Sequence, residues 1–159
     1  MPQELIATKG AVTANCYCTQ DEAIDYLDSM YGADEWAQLS SDQMDRLILT
    51  AAKQIDAFSL DYTSLAATQG MNFPVDTGDP DDDGFTQAKE ANILQAFYLF
   101  VNSDAMSESR TSAIQGITSE TLGPTSKSSI GFNQMRAFSA DALRLLSPYI
   151  NLTFKLRRG

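Results

Sequence analysis

The run ILQAFYLFV, residues 93 to 101, carries no charge and a single amide, Gln95. Written at helical spacing it is apolar almost all round. A helix of that kind has to be covered on every side. In a chain of 159 residues it therefore sits at the centre of a bundle, or lies between the core and an oligomer interface. It is half the length of a bilayer span and is interrupted by Gln95, so it predicts burial in protein and not in lipid. The fold class that follows is mainly α: a small bundle of about four helices.

The neighbouring segments supply the other helices. Thr19 and Glu22 form a capping box, and Ala23, Tyr26, Leu27, Met30 and Tyr31 repeat as one face of a helix ending at Gly32. The following ADEWAQL predicts a short turn that sets Trp36 and Leu39 on the core. Ser40 or Ser41 caps a second helix whose stripe is Met44, Leu47, Ile48, Ala51, Ile55 and Phe58. Leu49 falls off that stripe, toward Asp45 and Asp56, and reads as an exposed leucine or as a contact to another subunit. The central helix spans roughly 86 to 102, and Tyr98 and Phe100 on it are candidate oligomer contacts. A fourth helix starts at the Ser139 cap, with Ala142, Leu143, Leu146 and Ile150 on one face and Pro148 ending or kinking it.

Three stretches do not read as helix. Residues 59 to 85 form a long Gly- and Pro-containing connection, of the length usual for functional or disordered loops. The Ser-, Thr- and Gly-rich residues 104–136, with Gly123-Pro124 inside, predict either a β-hairpin or a mobile loop. The tail NLTFKLRR changes period: Leu152, Phe154 and Leu156 alternate with Thr153, Lys155 and Arg157. That alternation marks an extended strand with nothing local to pair with, which adds to a distant strand or to a partner's sheet edge, or else frays. The chain thus divides into a domain of residues 1–150 and a tail of residues 151–159.

Charge sharpens the division. Residues 1–150 hold 8 basic and 21 acidic side chains, a net −13, whereas Lys155, Arg157 and Arg158 make the tail +3. An acidic body disfavours general nucleic-acid binding, which needs clustered Lys and Arg. There is no histidine, which excludes Ser-His-Asp and Cys-His catalysis within the chain. Cys16 and Cys18 cannot complete a four-ligand zinc site alone, and their spacing suits a disulfide poorly; they read as small buried thiols. No catalytic residue, cofactor or membrane partner is assigned, and the N-terminus lacks the apolar core of a signal peptide, which points to an intracellular product.

DPDDDGFTQAKE, residues 79 to 90, matches the EF-hand calcium loop, with Asp79, Asp81, Asp83 and Glu90 as ligand candidates. The motif requires a helix on both sides, and MNFPVDTG before it cannot supply one. The reading preferred here is a solvated acidic turn leading into a helix N-terminus, where carboxylates are favoured.

Taken in order, Ala14, Asn15 and Tyr17, then Glu22, Ala23 and Tyr26, then Trp36, Ala52 and Asp56 resemble the N-terminal half of bacteriophage head-tail adaptor proteins, also called head-completion or connector proteins. Phe73-Pro74, the acidic loop, the Ala-containing helix and the segment from Ser139 to Tyr149 continue that order; Val75 departs from the usual Arg. The resemblance implies a helical subunit of a ring, dodecameric in many relatives, beneath the portal vertex of the virion and assembled in the host cytoplasm. Its partners would be other copies of itself, the portal protein and tail, stopper or tail-completion proteins, and genomic DNA would pass through without specific binding. The resemblance also implies a C-terminal segment that clasps the portal, here Leu152, Thr153, Phe154, Lys155, Leu156, Arg157 and Arg158. Some relatives carry a single-stranded DNA-binding label, which is the alternative function. Such a module stacks bases on aromatics in a basic groove, whereas Phe97 and Tyr98 sit in an apolar helix and basic residues are scarce.

Overall fold

The computed structural model describes residues 4–103, 119–122, 125–128 and 138–151. In chain order the elements are α1 (Gln20–Asp28), one 3-10 turn (Trp36–Gln38), α2 (Ser41–Asp56), β1 (Thr63–Ser64), β2 (Val75–Asp76), α3 (Phe85–Val101), β3 (Ser119–Leu122), β4 (Thr125–Ser128) and α4 (Ala140–Leu146). The chain is mainly α, a small bundle with two short antiparallel pairs, β1 with β2 and β3 with β4. Between the hairpin and loop readings of the Ser/Thr-rich stretch, the strands decide for a hairpin, with Ser119 opposite Ser128 and Leu122 opposite Thr125. The tail residues Leu152 to Arg158 lie outside the described residues.

The helix α3, uncharged from Ala91 onward, is central. It packs on α2 and on α4, with smaller contacts to α1. Ala88, Ala91, Ile93, Leu94, Ala96 and Leu99 are buried, joined by Ile48 and Ile55 of α2 and Leu146 of α4. Two amides interrupt this apolar surface, and both are fully buried. Asn92 Oδ1 accepts from the Tyr17 N–H at 3.1 Å while its Nδ2 donates to the Ile48 carbonyl at 3.0 Å. Gln95 Oε1 accepts from the Ser139 N–H at 2.8 Å while its Nε2 donates to Gln54 Oε1 at 2.6 Å. Each buried polar group is satisfied, and each ties α3 to two other parts of the chain. Gln95 holds the capping residue of α4, so the start of that helix is set from inside the core.

The caps form where their sequence signals stand. Thr19 and Glu22 make both bonds of a capping box, and so do Ser40 and Gln43; Ser139 accepts from the Ala142 N–H. α1 is shorter than the apolar spacing predicts. It closes at Ser29, whose Oγ donates to the Tyr26 carbonyl at 2.7 Å, so Tyr31 falls beyond the helix and is fully exposed.

Leu49 corrects the expectation drawn from α2 alone: it is buried, 8 % exposed. The flank it occupies is covered by the chain itself. Gln20 donates to Asp45 on that flank, and the Tyr17 hydroxyl donates to Asp56. The N-terminal segment thus lies along the helix edge that carries Asp45, Leu49 and Asp56, and no subunit contact is needed to cover the leucine.

The connection from α2 to α3 is long and mostly exposed, but it is fastened at many points. Asp56 accepts from the Asn72 N–H at 3.1 Å, and its carbonyl accepts from Asn72 Nδ2 at 2.9 Å. Gln69 Nε2 donates to the carbonyls of Met71, Asn72 and Pro74 at 2.8, 3.0 and 2.9 Å. Gly70 donates its N–H to the Ala11 carbonyl at 3.0 Å, and a Cβ there would stand 2.5 Å from the Val12 carbonyl oxygen. Only glycine lets the two backbones come this close.

Candidate functional site

The C-terminal segment is rooted in the domain. After α4 stops ahead of Pro148, Leu60 and Ile150 form an antiparallel bridge. Asp61 N–H donates to the Tyr149 carbonyl at 2.9 Å, and Asn151 N–H donates to the Ser59 carbonyl at 2.8 Å. One expectation changes here. Ile150 is buried, as its apolar character requires, but in this bridge and not on the face of α4. Of the pairings open to the tail, its first residue, Asn151, meets a distant segment of the same chain, residues 59–61. A signal for it stands in the sequence, the alternation of Phe58, Leu60 and Tyr62 with Ser59 and Asp61, but Phe58 also continues the stripe of α2 and hides the change of period.

Tyr149 anchors this root. It is buried, its ring meets Phe73 edge-on at 5.8 Å and Tyr62 at 6.3 Å, and its hydroxyl donates to Asp82 of the acidic loop. Burial first, and then the Asp82 carboxylate, push the phenol well above its ordinary value.

The acidic loop is organised by its own backbone. Asp76 accepts from the Gly78 N–H at 3.0 Å, Asp79 from the Asp81 N–H at 3.0 Å and Asp83 from the Phe85 N–H at 3.1 Å. Asp83 also pairs with Lys9. Partial burial opposes its charge, but the Lys9 ammonium and the Phe85 N–H outweigh it and hold the carboxyl below its ordinary range. Gly84 enters α3 with φ +69, and a Cβ there would lie 2.9 Å from the Phe73 ring and 3.0 Å from Tyr149. Asp79, Asp81, Asp83 and Glu90 are not brought together: among the described residues no group of three or more Asp, Glu, Cys or His could hold a metal ion. The carboxylates turn to N–H groups of the loop and to a helix N-terminus.

A second surface lies at the far end of α3. No charged residue occurs from Ala91 to Ser103. Phe97 and Phe100 are half-buried against Trp36, at 6.4 and 6.0 Å between ring centres. Tyr98 is half-buried and Val101 is 62 % exposed. Of the three candidate subunit contacts, Tyr98 and Phe100 therefore lie at the surface of this uncharged end, and Leu49 does not. Trp36 itself is buried, and its Nε1–H has no hydrogen-bond partner among the described residues. The sequence placed Trp36 in the core but held no sign of that unmatched donor.

Tyr17, Cys16 and Cys18 are fully buried and the thiols are free. Burial, above all, pushes the Cys16 thiol up to about 11 and Cys18 further in the same direction. Tyr17 is likewise raised, by burial and then by Asp56, while burial raises Asp56 against the bonds it accepts from Tyr17 and Asn72. A depression beside these residues, lined by Thr8, Gly10, Tyr17, Met71, Phe73 and Phe85 among others, encloses about 170 Å³ including open solvent. Pockets for small molecules run from about 300 Å³ upward. No helix among the described residues is long and apolar enough to cross a membrane.

No protein-family model, curated protein or solved structure matches this chain.

Proposed function

We propose that this protein is a structural component of a bacteriophage virion, a head-tail adaptor that assembles as a ring beneath the portal, joins the capsid to the tail and continues the DNA channel. The observation that carries the reading is the root at Tyr149–Asn151. It holds the start of a segment of charge +3 at the edge of a domain of charge −13. Leu152, Phe154 and Leu156 alternate with polar and basic residues, the pattern of a strand that offers one apolar face to a partner. The portal protein is that partner in this reading.

Two further features support it. Copies of a strongly acidic chain repel one another wherever carboxylates face, and the uncharged end of α3, with Tyr98, Phe100 and Val101, is a place where they can meet. The acidic remainder suits a passage for DNA, because like charge keeps the duplex from adhering. Tail, stopper or tail-completion proteins would meet the opposite side of the ring.

The test is the mass and affinity of the complex formed with the portal ring. The full chain is expected to bind, and a chain lacking residues 152–159 to lose binding while keeping its helical content. A shortened chain that binds as tightly as the full one refutes the role given to the tail.

A further inference from the structure

We infer that the acidic loop of residues 76–84 is a latch that fixes where the C-terminal segment leaves the domain, with Tyr149 as the positioning residue. The inference rests on the adaptor reading for its consequence at the portal, and on the geometry of the root for the latch itself.

The backbone pairing at the root is short: one bridge and two hydrogen bonds, Asp61 to Tyr149 and Asn151 to Ser59. A ladder of that length is marginal alone. Among the described residues it ends at the Asn151–Ser59 bond, two residues beyond Ala57, the C-cap of α2. The position of Asn151, from which the C-terminal segment continues, is therefore set by this root.

What holds such a short ladder in place is the side chain of Tyr149. Its ring is enclosed by Phe73 and Tyr62, and its hydroxyl is held by Asp82. The loop is shaped to receive it. Gly84 leaves the space that the Phe73 and Tyr149 rings fill, since a Cβ would stand 2.9 Å from the first and 3.0 Å from the second. The opposite side of the loop is braced by the Lys9–Asp83 pair and by the Val75 N–H, which donates to the Asp83 carbonyl at 2.9 Å. The run of aspartates that spells a calcium motif thus has a use without a cation. One carboxylate braces the loop, and its neighbour grips the tyrosine from which the tail emerges.

Amide hydrogen exchange on the full-length chain tests this directly, with Tyr149→Phe and Asp82→Ala as variants. Loss of the hydroxyl–carboxylate bond should raise exchange at the Asp61 and Asn151 amides roughly fivefold, the scale of one partly exposed hydrogen bond. Amides of α2 and α3 should be unchanged. Unaltered exchange at Asp61 and Asn151 in both variants overturns the latch. If Tyr149→Phe also loosens the helices, Asp82→Ala, on an exposed loop, carries the test alone. In parallel, affinity for the portal ring should fall severalfold in both variants. Raised exchange with unaltered portal affinity overturns the claim that the latch aims the segment at its partner. A wild-type chain that does not bind the portal overturns the adaptor reading, and exchange still judges the latch.

Discussion

The helices and the connection between α2 and α3 are held by different means. Among the helices, α3 is wrapped by α2 and α4 and is stabilised by apolar burial, with Asn92 and Gln95 as its two polar ties. In the connection, residues 61–68 are all exposed, and apolar burial is confined to its second half, at Phe73, Pro74 and Val75. Elsewhere it is fastened by side chains bonded to its backbone: Asp56 accepts from the Asn72 N–H, Gln69 donates to three carbonyls, and Asp83 accepts from the Phe85 N–H. A long Gly- and Pro-containing stretch can thus satisfy its backbone groups through side chains where no helix or sheet does so.

The comparison can be broken most forcefully on the helical side. Trp36→Ala removes the largest fully buried side chain, and comparable truncations cost about 3–5 kcal/mol. The low end is expected, because the substitution also removes a buried N–H that lacks an acceptor among the described residues. A urea midpoint shifted by that amount at constant slope would bear this out, and a loss below about 1 kcal/mol would contradict the central place given to Trp36.

Gln69→Ala strikes the connection instead. Three carbonyl partners are lost in a half-buried setting, for an expected cost of about 1–2 kcal/mol. Its distinguishing mark is local. Proteolysis between residues 60 and 75 should accelerate while exchange in α3 stays as before. A uniform loosening of both regions would mean that they do not differ in the way described.

The smallest effect concerns the residue at which the two regions meet. Burial raises the Asp56 carboxyl in the folded protein. Its contribution to stability is therefore fully present below the unfolded carboxylate value and is lost as pH rises through the folded one. Asp56→Asn keeps an oxygen for the Tyr17 hydroxyl and the Asn72 N–H and lacks that loss. Its stability should climb more steeply than wild type from about pH 4 toward neutrality, and at neutral pH differ by less than about 1 kcal/mol. Parallel stability curves for the two proteins would remove Asp56 from this account.

Most of the helical part is legible in the sequence, because caps and apolar spacing are local signals. Thr19, Ser40 and Ser139 announce their helices, and Met44, Ile48, Ala51 and Ile55 announce the buried face of α2. The misreadings arise where a distant segment settles the matter. Leu49 looks exposed on an isolated helix, yet it is buried on the flank where Tyr17 and Gln20 reach Asp56 and Asp45. Gln95 looks like a break in an apolar run and is in fact the acceptor for the Ser139 N–H, 44 residues away. The candidate site is less legible still. The tail's alternation is visible, but the one at Phe58, Leu60 and Tyr62 is masked by the end of α2, and nothing local marks residues 59–61 as the partner of 149–151. The acidic turn leading into a helix N-terminus is legible, whereas the bond from Tyr149 to Asp82 is not.

The contact at Gly70 has a mechanical consequence. The N-terminal arm is sewn to the connection there, through Ala11 and Val12, and again where Lys9 meets Asp83. The opposite terminus is sewn to the same stretch at Ser59, Asp61 and Asp82. Tension applied to either end of the polypeptide therefore loads one shared seam before it reaches any helix, and a pull on one terminus is felt at the fastening of the other.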